Sequence, residues 1–200
     1  MKRRLAVAAL VFAGFGTALV QPAVADDLQD GGNNVVQAKT QSGTALVQER
    51  AKVKVTQDPS SDVEDTNVAV AQSTSCTDCR TVAAAIQIVI VENPHVTTYQ
   101  PQNGAAAVND SCLRCATAAF ARQIVLTPYH AVHLSESTRE QIHEANDEAD
   151  RIVESNADFP TMSAEIKDLA SRLAATVQSD IDNQSSTPSS RDDRDDEREA

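Results

Sequence analysis

Four cysteines, Cys76, Cys79, Cys112 and Cys115, stand in two Cys-x-x-Cys pairs. Thiols at that spacing suit three chemistries: disulfide bonding, a Cys₄ zinc site and thiol–disulfide exchange. Four cysteines allow three disulfide connectivities. A bridge within each pair suits a β-turn, which brings residues i and i+3 to within about 7 Å. Closing so short a loop stabilises by about 2 kcal/mol, against about 4 for a bridge between the pairs. A bridge between pairs needs the two tips side by side, and both pairings stay open on the sequence. Zinc is the alternative use of Cys76, Cys79, Cys112 and Cys115, since two such pairs about 30 residues apart can supply four thiolates. An exchange-active pair normally opens a helix, whose N-terminus lowers the thiol pKa. Here strand-like sequence follows, and Asp78 opposes a thiolate.

Other chemistry-bearing residues are weaker. His143 to Asp147 read His-Glu-Ala-Asn-Asp, which lacks the second histidine of a HExxH zinc motif. His130 and His133 have metal-ligand spacing but precede a helix, on a loop. The carboxylates Asp26, Asp27, Asp58, Asp62, Glu64 and Asp65 fall in connecting segments and read as solvated. No catalytic residue, metal or other cofactor is expected.

The elements that hold the cysteines repeat. Residues 67–91 and 103–127 are identical at 12 of 25 positions without a gap. Asn67, Ala69 and Ala71 match Asn103, Ala105 and Ala107. After the second Cys, Thr81, Ala83, Ala85, Gln87 and Val89 match Thr117, Ala119, Ala121, Gln123 and Val125, while most interleaved positions differ. Identity at every second residue marks one face of a strand, because successive side chains point to opposite faces. A helix would preserve a stripe at three and four residues. A weaker copy begins at Asn34, with Gly43 where the others carry cysteine, and its Arg50 to Val55 alternate polar and apolar. Each copy reads as two strands joined by a tight polar connection. The segments between copies contain Pro59, Pro94 and Pro101 and read as loops.

The expected class is α+β: repeated β-hairpins form a small antiparallel sheet or sandwich, followed by a C-terminal helical segment. The expected divisions are a leader at 1–25, a linker at 26–33, a β-repeat domain at 34–128 with copies near 34–56, 67–91 and 103–127, a helical segment at 129–182, and a disordered acidic tail at 183–200. In the helical segment, Ser137 to Glu140 fit a capping box. Ile142, Ala145, Ala149 and Ile152 then form a narrow apolar seam. Asn156 to Pro160 breaks the helix, and a second one carries Ile166, Leu169, Leu173, Val177 and Ile181 on one side. The tail's composition, ending in RDDRDDEREA, cannot bury enough apolar surface to order itself.

The doubled string Asn-x-Ala-x-Ala…Cys-x-x-Cys-x-Thr-x-Ala-x-Ala-x-Gln-x-Val, at Asn67–Val89 and Asn103–Val125, resembles a group of actinobacterial exported proteins of unknown role. Similar segments occur beside proteins labelled as membrane peptide zinc metalloproteases. The resemblance spans about residues 34–182. It implies export from a Gram-positive cell and supplies no catalytic residue.

Compartment and charge narrow the function further. Lys2, Arg3 and Arg4, the apolar run Leu5–Val20 and the Ala23-Val24-Ala25 site have the form of a cleaved secretory leader. Export favours oxidised cysteines. The 200 residues carry a formal charge of −12, with two Tyr, four Phe and no Trp. Such a chain is poorly suited to nucleic acid, which needs a basic face, or to an anionic membrane surface. No span is expected once the leader is removed. The expected product is a secreted or cell-envelope, non-enzymatic, disulfide-stapled structural module that binds a protein or cell-envelope partner. A Cys₄ zinc or thiol-redox protein is the alternative.

Overall fold

The computed structural model describes residues 28–30 and 32–185; the expected leader and the tail beyond Ser185 lie outside the described residues. Its strands are β1 (Leu28–Asp30), β2 (Asn34–Thr44), β3 (Val47–Asp58), β4 (Asp62–Val63), β5 (Thr66–Thr77), β6 (Arg80–Val91), β7 (Thr98–Tyr99), β8 (Gln102–Asp110) and β9 (Ala116–Leu126). Helices α1 (Glu136–Glu154) and α2 (Phe159–Ser185) follow.

The sheets are parallel, which corrects the antiparallel hairpins expected from the repeat. β2, β5 and β8 form one sheet, β1, β3, β6 and β9 a second, and β4 and β7 a third. The two long strands of each copy therefore lie in different sheets, face to face, and pair with the same strand of the next copy. Each copy is one coil, and three coils stack as a small β-solenoid. The α+β class with C-terminal helices is as expected.

Stacking explains which residues repeat. The register sets Asn34 on Asn67 and Asn67 on Asn103, and likewise Lys54 on Gln87 and Gln87 on Gln123. Inward side chains must fit their own equivalents one coil away, so they recur. Outward ones meet helix or solvent and vary. In a hairpin, each residue would instead face a different position of the same copy.

The interior is thin and made of small residues. Val36, Ala38, Ala69, Ala71, Ala83 and Ala85 form its apolar cluster. Polar columns run beside it. Asn34 Nδ2 donates to Asn67 Oδ1 at 2.9 Å and to the Ile86 carbonyl at 3.0 Å. Asn67 Nδ2 donates to Asn103 Oδ1 at 2.8 Å and to the carbonyls of Ala85 and Arg122, each at 3.1 Å. Gln123 Nε2 donates to Gln87 Oε1 at 2.9 Å. Hydroxyls of Thr40, Ser73, Thr81 and Thr117 bond at 2.8–3.1 Å. These bonds satisfy polar groups that burial alone would penalise.

The larger core lies outside the coil. The outer face of the second sheet (Val53, Val55, Val82, Ala84, Ile86, Ile88, Ile90) packs against Ile142, Ala145, Ala149, Ile152, Ile166, Leu169, Leu173 and Val177 of the helices. β6 thus has apolar neighbours on both faces, which accounts for its near-continuous apolar sequence. Ser135 caps α1, its Oγ accepting from Thr138 N at 3.2 Å, two residues before the expected Ser137. Pro160 sits in the first turn of α2, where its missing N–H costs nothing. α2 continues to Ser185, past the expected start of the tail. No described helix is long and apolar enough to cross a membrane.

Replacing Asn67 by Ala removes the middle rung of the Asn column and takes the side-chain donor from Asn103 Oδ1 and from the carbonyls of Ala85 and Arg122. Asn67→Ala is expected to destabilise the fold by about 2–4 kcal/mol in urea unfolding, whereas Gln72→Ala on the outer face changes it little.

Candidate functional site

Between its two long strands each coil makes the same sharp turn. Ser42, Ser75 and Ser111 have φ of 53°, 51° and 53°, and Ala45, Asp78 and Arg114 have 54°, 56° and 55°. Two non-glycine residues in the left-handed region make each tip a strained turn. In the second and third coils the cysteines clamp it. Cys76 and Cys79 lie at bonding distance, Cα atoms 6.0 Å apart, as do Cys112 and Cys115 at 5.9 Å. The pairing is local, so of the connectivities open on the sequence the structure has the one within each Cys-x-x-Cys. In the first coil Gly43 is in register with Cys76. Leu46 covers it so closely that a Cβ on Gly43 would fall 2.7 Å from Leu46 Cδ1. An apolar contact there takes the place of sulfur.

The tips stack. Leu113 N donates to the Cys76 carbonyl and Ala116 N to the Cys79 carbonyl, both at 2.8 Å. Asp78 and Arg114 form a two-pronged ion pair at 2.6 Å, and the Arg114 guanidinium holds the Asp78 carboxyl below its usual range. The pair is exposed and adds little stability. The Sγ atoms of Cys76, Cys79 and Cys115 lie within 4.8 Å of one another. Every described cysteine is bonded to another, so ligating a metal would require reduction first. Strands, not helices, follow both pairs, in keeping with the alternation after each second Cys.

The other sequence candidates have structural placements. His143 is an exposed residue of α1, and His130 and His133 are exposed before it. Within the His-Glu-Ala-Asn-Asp stretch the structural role falls to Asn146, whose Oδ1 accepts from Val53 N at 2.9 Å. One turn further on, Asp150 Oδ1 accepts from Ala51 N at 3.2 Å. These two side chains cover the edge of β3 that β1 leaves open.

The two ends of the solenoid differ, a feature the residue pattern did not disclose. At the first coil β1 pairs with Val55–Gln57, α1 covers the adjacent amides, and the inward register positions of β3 carry Arg50, Lys52 and Lys54 opposite Ala83, Ala85 and Gln87. Inward charges and a covering helix are devices that protect sheet edges. At the last coil the corresponding residues are Ala119, Ala121 and Gln123, and β8 is exposed along nearly its whole length. Ala69 and Ala71 are 0% exposed in the second coil, yet their stacked equivalents Ala105 and Ala107 are open to solvent. The signal was the cationic alternation of Arg50, Lys52 and Lys54 in one copy and its replacement by Ala in the others.

No family model, curated protein or solved structure matches this chain.

A buried acid also went unseen. Asp58 and Asp65, expected to be solvated, are 5% and 3% exposed. Asp65 Oδ1 accepts from Gly32 N at 2.7 Å, while its Oδ2 is buried and meets no donor. Burial, reinforced by the neighbouring Asp58 charge and only partly offset by Gly32 N–H and Lys54, pushes Asp65 up to about 6 from 3.8. Between those values the folded protein keeps a proton that the unfolded chain has lost, so this group makes stability fall as pH rises through the window. Comparing urea unfolding of the wild type with Asp65→Asn is expected to isolate a loss of up to about 3 kcal/mol between pH 4 and 7 that the variant lacks.

Proposed function

We propose that this is an exported, non-enzymatic structural module that binds a protein partner through the open last coil of its solenoid. The observation that carries this reading is the asymmetry of the ends: β1, α1 and three inward cations close the first coil, whereas among the described residues no strand pairs with the outer edge of β8 or β9. An exposed, flat strand edge is a template for strand addition. The occupant is an extended strand of a protein partner with small residues at alternate positions, since the facing positions are Ala105, Ala107, Ala119 and Ala121. Asn103 Nδ2, which donates to the Ala121 carbonyl at 3.3 Å, has a second hydrogen to offer such a strand. Gln123 uses its Nε2 toward the coil above and leaves Oε1 to accept.

Export is supported by the form of residues 1–25 and by two local cysteine bridges, which persist in oxidising compartments. A non-enzymatic role is supported by the fate of the inward hydroxyls and amides. Ser73, Thr81, Thr117 and Asn67 spend their bonding capacity on one another and on the backbone.

A fluorescent peptide of residues 66–77, made with Cys76→Ser, reproduces the strand that β8 already accepts on its other edge. It is expected to bind the protein saturably in anisotropy titrations. Ala107→Lys, which puts a charge into the open end, is expected to weaken binding by about tenfold or more, and Gln72→Lys on the outer face to leave it unchanged. Absence of saturable binding, or equal binding by both variants, contradicts the proposal.

A further inference from the structure

The sulfur stack has more in it than two independent clamps. Cys79 and Cys115 occupy equivalent positions in neighbouring coils, joined by the 2.8 Å bond from Ala116 N to the Cys79 carbonyl. Stacked rungs of a sheet stand about 4.8 Å apart, inside the Cα separation that a disulfide spans. Cys115 Sγ lies within 4.8 Å of both sulfurs of the Cys76–Cys79 bridge. That bridge is buried, at 2% and 1% exposure, whereas Cys112 and Cys115 are partly exposed beside Leu113, which is 57% exposed. Asp78, the charge expected to oppose a thiolate, is neutralised by Arg114.

We propose that the tips form a thiol-exchange site in which the outer bridge takes up an external thiol and Cys115 passes the exchange to the buried bridge. The co-reactant is a small-molecule or protein thiol. Its thiolate attacks Cys112 Sγ, the Cys112–Cys115 bond breaks, and the electron pair leaves on Cys115, giving a mixed disulfide at Cys112. The Cys115 thiolate then attacks Cys79 Sγ. A Cys79–Cys115 bond forms, the Cys76–Cys79 bond breaks, and Cys76 leaves as a thiolate that takes a proton. A second external thiol releases its oxidised dimer from Cys112. In sum, two thiols are oxidised to one disulfide, one protein bridge is reduced to two thiols, and the remaining bridge has moved between coils. Exchange through a thiolate and a mixed disulfide is the ordinary route for such steps.

The test is a matched pair of variants, each purified oxidised, held at pH 8 under native conditions, alkylated and peptide-mapped. Cys112→Ser leaves Cys115 as the odd thiol. Label is expected on Cys76 as well, within about tenfold of that on Cys115, together with a Cys79–Cys115 linked peptide. Cys115→Ser leaves Cys112 as the odd thiol, and its label is expected to stay on Cys112. Label confined to Cys115 in the first variant overturns the proposal, as does equal scrambling in both. Should either variant fail to fold, the wild type is titrated with a limiting water-soluble phosphine, which reduces one bridge to two thiols as it becomes the oxide. Acid-trapped intermediates are then mapped. A Cys79–Cys115 species supports the relay, and thiols found only as the pairs Cys112/Cys115 or Cys76/Cys79 overturn it.

Discussion

The fold depends on like side chains stacking on like. A carboxamide buried in a thin interior needs partners for both its N–H groups and its oxygen, and an identical carboxamide one coil away supplies part of that need. Asn34, Asn67 and Asn103 form such a column, each of the first two giving one hydrogen to the next Asn and another to a carbonyl of the facing sheet. The bonds therefore run both along the stack and across it. They set the register of the first sheet and its distance from the second in one device. Alanine at the adjacent inward positions follows, because larger side chains would force the layers apart.

From that constraint come the two features that matter for function. The tips must return the chain within a few residues in every coil, so each adopts left-handed backbone at two non-glycine positions. Sulfur holds them in two coils and a Gly–Leu contact in the other. Stacking then brings equivalent tips together, which is why sulfurs from different copies become neighbours. The column also has ends. Asn34 Oδ1 is buried with no donor at the head, beneath an end closed by β1, α1 and cations. At the foot, β8 and β9 end their sheets, with no further strand paired to them among the described residues. The helices add the large apolar core that so thin a coil lacks, and they do so on one sheet only, β9 included through Phe120, Ile124 and Leu126, leaving β8 of the last coil exposed.

Much of this was legible in the residues. The repeat boundaries, the strand character and the tight cysteine turn followed from identity at alternate positions, and the helices from their apolar seams. Strand direction did not follow, because a face that repeats every second residue is the same whether its partner strand lies in its own copy or in the next. The clue was that the repeat matches Asn with Asn and Gln with Gln, which only stacked copies require. Asp58 and Asp65 read as solvated because a polar connecting segment around Pro59 looks exposed until the coil closes over it. Asn146 and Asp150 were invisible as edge caps, since nothing local in a helix tells which strand amide it will meet.

The most direct test of the stacked arrangement is the set of inter-strand nuclear Overhauser contacts between backbone protons in the oxidised protein. In-register parallel coils place Val36 beside Ala69 and Lys52 beside Ala85, then Ala69 beside Ala105 and Ala85 beside Ala121, so contacts at an offset of 33 residues between the first two coils and 36 between the last two are expected along both long sheets. An antiparallel ladder joining residues 67–77 edge to edge with residues 80–91 of the same copy would contradict the account.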